Sequence, residues 1–229
     1  MSRFSKGTQY HTDRFLPDPL PPDPVHILKD WIDEATRKQI VTNPNAISLA
    51  TSTPDGRPSV RIVLAKDVTP DGRLIFFTNY ESRKGRELAD NPRAAATFFW
   101  DALSLQARIE GPVTLLSDKE SDEYFASRWI LSRLGAWASD QSRPIHSREA
   151  MLDRVLQVAA KFSTAPDGSG DANIPRPPHW GGYSIWAEAI ELWIGQPGRI
   201  HDRGLWQRHL APAPHAFTPG EWTASRLQP

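Results

Sequence analysis

The chain has 229 residues, with 27 basic and 27 acidic side chains, so no general attraction to nucleic acid or a membrane surface follows from its charge. Cysteine is absent, which excludes disulfides, thiol nucleophiles and cysteine-held metals and suits a reducing cytoplasm. The N-terminus carries no apolar core of signal-peptide length and no later run reaches a membrane span, so a soluble cytoplasmic protein is expected.

Residues 1–22 are polar and end in a proline-rich stretch, the composition of an extended, flexible arm. Asp23 then reads as an N-cap with Pro24 at the first helical position. Val25, Leu28, Trp31, Ile32 and Ala35 share one face, which predicts a helix over 24–38. From residue 46 the pattern turns to strands. "AISLATS", "SVRIVLAK" and "RLIFFTN" are joined by the turns "TPDGRP" and "TPDG", an antiparallel meander. "SRKGRELADNP" predicts a short helix capped by Ser82 and stopped at Asn91-Pro92. "RAAATFFW" and "LSLQARIEGPVTLL" predict a hairpin. Ser117 and Glu120 fit a capping box opening a helix through Tyr124 and Arg128. A further helix over 147–162 is followed by a loop over 163–179 and by strands around 182–194, 204–210 and 221–227. With no internal repeat and no clear linker, residues 23–229 read as one α+β domain built on an antiparallel barrel with flanking helices.

Four segments could carry chemistry. In "RIVLAK", Arg61 sits among Val63 and Ala65; either it has a partner, since burying a lone charge is costly, or the strand is an edge with Arg61 in solvent. In "TNYESRKGRE", Thr78, Ser82, Arg83 and Lys84 gather hydroxyls and cations at a helix start, either a phosphate site or a solvated basic turn. In "EYFASRWILSR", Tyr124, Arg128 and, if the helix continues, Ser132 share a face suited to holding a phosphate, or simply form the polar side of an amphipathic helix. A fourth segment, "WIGQPGRIHDRGLWQR", places Arg199, His201 and Arg203 at alternate positions; in an extended chain they would share a face and need an anionic partner. The seven histidines show no HExxH or HxH spacing, so no metal is expected. Nine tryptophans and nine phenylalanines either fill the core or wall a site for a flat ligand.

Taken in order, "RIVLAK", "FFTNYESRKGREL", "NPRAAATFFW", "RLGAWASDQS", "WGGY", "ELWIGQPGRIHDR" and the final "RLQP" resemble the pyridoxine/pyridoxamine 5'-phosphate oxidase family of FMN-binding split barrels. The resemblance runs from about residue 24 to Pro229. It implies an antiparallel split β-barrel with FMN bound at the subunit interface of a homodimer. The positions matching the family's FMN contacts are Arg61, Ile62, Val63, Leu64, Lys66, Phe77, Thr78, Arg83, Lys84, Gln106, Gln141, Ser142, Trp193 and Arg203. Lys66, Tyr124, Arg128 and Ser132 match positions that grip a substrate phosphate, and Arg199 and His201 match the catalytic pair flanking the pyridine ring. On this reading the partner of the 199–203 cations is a ligand. The implied reaction oxidises pyridoxine or pyridoxamine 5'-phosphate to pyridoxal 5'-phosphate, with O2 as acceptor and H2O2 as product.

The chain departs from the family in lacking a clear Arg-Arg-x-Tyr-like segment near its start, in carrying Trp129, Ile130 and Leu131 after Arg128, and in approaching Arg199 through "GQPGR". Two alternatives share the fold: a flavin oxidase of a phenazine-type aromatic precursor, and a non-catalytic FMN-binding protein.

Overall fold

A computed structural model describes residues 12–165, 167, 169 and 173–229. The first half of the chain forms α1 (Val25–Arg37), β1 (Ala46–Ser52), β2 (Pro58–Val68), β3 (Arg73–Asn79), α2 (Arg83–Asp90), β4 (Arg93–Trp100) and β5 (Leu105–Leu115). Three helices follow, α3 (Asp118–Ala126), α4 (Ile130–Ala138) and α5 (Arg148–Lys161). The chain ends in β6 (Trp180–Trp186), β7 (Ala189–Ile194), β8 (Asp202–Gln207), β9 (Leu210–Ala213), β10 (Ala216–Pro219) and β11 (Thr223–Leu227).

Nine of these strands form one antiparallel sheet in the order β11-β8-β7-β5-β4-β1-β2-β3-β6, and β6 also pairs with β5. That last pairing closes a six-stranded barrel, from which β7, β8 and β11 extend as a flap. The fork lies in β5. Leu105–Glu110 pair with β7, whereas Val113–Leu115 pair with β6. Gly111 sits between the two registers, and a Cβ there would lie 1.8 Å from the Trp186 carbonyl oxygen. Only a residue without a side chain lets the β6–β7 corner come so near.

The expected meander, hairpin and caps of α2 and α3 are all present. Gly56 and Gly72 supply positive φ in the two turns; α1 opens one residue later than expected, with Pro24 and not Asp23 in the capping position, while Asp23 accepts from the Val25 N–H at 2.8 Å just before it. Ser117 and Glu120 form a complete capping box. The barrel interior is filled by β-strand side chains and closed by α1, whose Leu28, Trp31 and Ala35 are fully buried with Ile47, Leu49, Phe76, Phe98 and Trp206. Each large side chain so buried stabilises the fold by about 1.5–3 kcal/mol. A second apolar cluster joins Phe125, Ile130, Leu134, Ala159 and Trp180, seating α3, α4 and α5 on β6.

Three expectations need correction. The helix opened by Ser117 ends at Ala126, where Arg128 N–H turns back to the Phe125 carbonyl at 3.1 Å and Trp129 becomes extended (φ −54°, ψ 139°); α4 is a separate helix. The strand expected over 182–194 is two strands, because the chain at Ala187–Glu188 leaves β6 and bonds instead to Gly72 and Glu110. The stretch through Arg199 is not extended: Pro197–Arg199 form a 3₁₀ turn with φ +66° at Gly198 and φ +63° at Arg199, and β8 begins only at Asp202. Beyond it, "LAPAPHAFTP", which no expected strand covers past Leu210, forms the β9–β10 hairpin.

Residues 1–11 of the arm lie outside the described residues. Residues 12–22 run along the barrel, with Leu16 buried and Arg14 paired to Glu34 at 2.6 Å. Among the described residues no helix is long and apolar enough to cross a membrane.

Candidate active site

The meander sets β2 between β1 and β3, so Arg61 stands on an interior strand and not on an edge. Its guanidinium reaches across to β1 and α2. Nη1 donates to Thr51 Oγ1 at 2.6 Å, Nη2 bonds the Ser59 hydroxyl and lies 3.3 Å from Glu87 Oε2. Glu87 is buried in α2, where it also accepts from Thr51 and Ser59 and from Arg83 Nε at 2.9 Å. Burial works against this carboxylate, but the hydrogen bonds from Ser59, Thr51 and Arg83 and the charge of Arg61 outweigh it and hold Glu87 down at about 2. Glu87 carried no sequence prediction; its spacing of four from Arg83 on a helix was the available signal.

Lys84 is 8% exposed. Its ammonium donates to three neutral oxygens, Thr78 Oγ1 at 2.9 Å, Ser82 Oγ at 3.1 Å and Gln141 Oε1 at 2.8 Å. Burial first, and the nearby Arg61 charge second, push it down to about 8. Ser82 fixes the geometry: its hydroxyl caps α2 by accepting from the Gly85 N–H while donating to the Asn79 carbonyl. The α3–α4 break presents the other cation. Arg128 lies over Trp180 at 4.6 Å and Phe125 at 5.6 Å, and its Nη1 is buried without a hydrogen-bond partner. Beside it, Phe77 stacks on Tyr124 with ring centroids 3.9 Å apart, and Lys66 Nζ lies 5.7 Å from the Tyr124 ring.

These groups surround one open cavity of about 650 Å³. It is lined by nine residues predicted to hold a cofactor, Arg61, Ile62, Val63, Leu64, Lys66, Phe77, Thr78, Lys84 and Gln141, and by Tyr124, Arg128 and Ser132 of the predicted phosphate grip. Asn79, Trp129 and Trp180 complete the wall without having been predicted as site residues. The tryptophans thus divide between the two expected roles: Trp31, Trp100 and Trp206 are core, while Trp180 and Trp129 face the cavity.

The remaining predicted residues are not part of that lining. Arg83 begins α2 and pairs with Glu87; Ser142 follows Gln141 with φ +69°. The others lie on the flap and on the neighbouring strand β5. Gln106 faces Trp193 across β5–β7, and Trp193 faces Arg203 across β7–β8. The His201 ring lies 4.6 Å from Trp193, and His201 Nδ1 accepts the Gln196 backbone N–H at 3.1 Å, which assigns the proton of the neutral ring to Nε2. Burial, with the charges of Arg199 and Arg203, holds His201 below the ordinary histidine value. Arg203 corrects one expectation: its anionic partner is a protein carboxylate, Glu191, at 2.8 Å from Nη2 and 2.9 Å from Nε, with the Gln228 carbonyl at 2.9 Å from Nη1.

A buried ammonium held by neutral oxygens, an orphaned guanidinium nitrogen and a stacked aromatic wall suit a flat ligand bearing phosphate. The closed barrel with its flap defines the class first: a split-barrel flavoprotein fold. Comparison with known proteins agrees. Residues 32–162 match the family model "Pyridoxamine 5'-phosphate oxidase", and residues 180–229 match "Pyridoxine 5'-phosphate oxidase C-terminal dimerisation region". A pyridoxine/pyridoxamine 5'-phosphate oxidase of Burkholderia ambifaria is 48% identical over 208 residues, covering 91% of this chain and 90% of that one. One from Rhodospirillum rubrum is 45% identical, covering 90% and 96%. Among solved structures, PhzG from Burkholderia lata 383, in complex with tetrahydrophenazine-1-carboxylic acid, superposes with a TM-score of 0.80 at 30% identity, covering 95% of this chain and 98% of that one. The chain belongs to the pyridoxine/pyridoxamine 5'-phosphate oxidase family and is a flavin-dependent oxidoreductase.

Proposed function

We propose that the protein is an FMN-dependent oxidase of pyridoxine 5'-phosphate and pyridoxamine 5'-phosphate, acting as a homodimer in the cytoplasm. The alcohol and O2 give pyridoxal 5'-phosphate and H2O2; the amine, O2 and water give the same products and ammonia. The observation that carries this reading is the convergence of buried Lys84 and partnerless Arg128 Nη1 on one aromatic-walled cavity. A buried ammonium and a partly buried guanidinium, neither paired with a carboxylate among the described residues, favour a ligand with anionic groups, since unpaired buried charge is costly.

FMN, when bound, supplies the two-electron acceptor that O2 regenerates. The chain does the rest. Arg61, Arg83, Lys84 and Thr78 would hold the flavin phosphate at the start of α2, where the backbone N–H groups add to the attraction. Gln141 and Ser142 would follow the same edge. Lys66, Tyr124, Arg128 and Ser132 would grip the substrate phosphate, so that binding energy far from the reacting carbon fixes its position. Gln106 on β5 and the flap residues Trp193, Arg199, His201 and Arg203 lie outside this chain's cavity lining, and the match of residues 180–229 to a dimerisation region supports the flap residues' completing the cavity of a second copy. In that place Arg199 orients and polarises the reacting substituent while the His201 Nε2–H donates a hydrogen bond beside it.

A second reading, oxidation of a wider aromatic acid, is favoured by the similarity to PhzG and by Trp129, an indole 67% exposed on the cavity wall. It offers the cations of the phosphate grip a carboxylate in place of the phosphate that their number suits. Initial rates with both phosphorylated vitamers, set against the free alcohol and amine, separate the readings. Turnover confined to the phosphates is expected. Bound flavin with no turnover of either phosphate would refute the proposal and direct the search to tricyclic acids or to flavin binding alone.

A further inference from the structure

The flap turn that carries Arg199 and His201 closes on one long backbone bond, Ile200 N–H to the Pro197 carbonyl at 3.3 Å, across two successive residues, Gly198 and Arg199, of positive φ. A non-glycine residue in that region persists where its surroundings over-determine it. The surroundings here come from the N-terminal arm. Gln196, 6% exposed, sends its side-chain Nε2 to the Arg14 carbonyl at 2.7 Å while its own backbone N–H holds His201 Nδ1. On the other side of the turn, Asp202 Oδ2 accepts the Leu16 N–H at 2.7 Å. Arg226 bonds the same aspartate and donates to the Pro17 carbonyl at 2.9 Å. Arg14 is itself tied down, by Glu34 at 2.6 Å and by Trp31, whose ring centroid lies 5.3 Å from the guanidinium.

We propose that Gln196 is a positioning residue, fastening the Arg14–Pro17 stretch of the arm to the active-site turn and so holding the His201 imidazole with its Nε2–H presented. Neither the arm nor Gln196 touches the reacting atoms; they act through His201 and Arg199. The inference rests on the reading of those two residues as the groups beside the substrate. It also gives residues 14–17 a task different from covering the site: they brace the turn from its barrel side. A hydrogen-bond chain runs from α1 through Arg14 and Gln196 to the imidazole, and each link lies between 2.6 and 3.1 Å.

The test uses the full-length, flavin-loaded protein and Gln196→Met, which keeps the length and volume of the side chain and removes its amide. Turnover of pyridoxine 5'-phosphate should fall about tenfold in kcat, with KM and flavin affinity changed less than about twofold, because misplacement of a reacting group costs rate more than binding. The second readout is NMR of histidine labelled with nitrogen-15. In the wild type His201 should show the Nε2–H tautomer; in Gln196→Met the tautomers should mix and the titration should move. Arg14→Ala, at a side chain one-third exposed, should shift both readouts in the same direction and serves if Gln196→Met does not fold. Wild-type kcat together with an unmoved His201 tautomer would overturn the proposal. A wild type that turns over neither phosphate would refute the vitamer reading instead, and the NMR comparison would still decide whether Gln196 positions the ring.

Discussion

At the scale of single residues, the site is governed by how its charges are compensated. Lys84 has neutral partners and a value near 8, so it is the group whose protonation responds to mildly alkaline pH. Charged Lys84 is what an anion needs. FMN affinity, measured by quenching of flavin fluorescence, should therefore hold steady below pH 8 and weaken as pH rises through about 8 toward 10. Lys84→Met should remove that dependence along with much of the affinity; a wild-type affinity flat to pH 10 would contradict the assignment. Glu87 behaves oppositely. Its depressed value means that its stabilisation is fully present above the ordinary carboxylate range and is lost as pH falls through about 2. Glu87→Gln leaves Arg61 without its countercharge and should cost about 3–5 kcal/mol by denaturant unfolding at pH 7. The exposed Arg83 adds little to that sum, since a solvent-facing pair contributes well under what a buried one does.

At the scale of elements, local signals located most of the fold. Capping residues, turn glycines and apolar periodicity placed α1, α2, the start of α3, α5 and the barrel strands β1–β5, because each is decided by neighbours within a few residues. What stayed hidden depends on distant chain. The Ala187–Glu188 corner exists because Gly72 and Glu110 capture those N–H groups, and nothing within "YSIWAEAIELWI" announces it. The α3–α4 break was legible only in part: Ile130 and Leu134 are spaced for a buried helix face, but the extended Trp129 reflects the seating of α4 on Trp180. The site shows the same division. The motifs identified Lys84, Arg128 and the β2 lining, whereas the role of Glu87 and the Glu191 partner of Arg203 require the sheet and α2 to be assembled first. Gly111 makes the dependence testable. Gly111→Ala puts a methyl group against the Trp186 carbonyl, and backbone cannot swing aside as a flexible side chain would. A loss of at least about 3 kcal/mol, or failure to recover folded protein, is expected by circular dichroism and solubility. Wild-type stability would show that the fork relaxes easily.

At the scale of the molecule, the proposed shared site would draw on two surfaces of the described chain. One is the cavity between β2, β3, α2 and the α3–α4 break; the other is formed by flap strands β7 and β8 with the neighbouring β5. Val60 and Ile62, 68% and 65% exposed, put an apolar stripe at the edge of the first, as expected of a surface covered in an assembly. A closed two-fold dimer would bring each cavity against the other copy's flap and create two equivalent sites. Complementation between two inactive variants tests this most directly. Lys84→Met damages the cavity and Arg199→Ala damages the flap, so each homodimer should have two defective sites. Co-expressed and purified as mixed dimers through different tags, the pair should contain one site with both halves intact. The predicted result is pyridoxine 5'-phosphate turnover by mixed dimers at about half the wild-type rate per dimer, with both parent homodimers nearly inactive. Mixed dimers as inactive as their parents, with wild type active, would contradict a site shared between two copies.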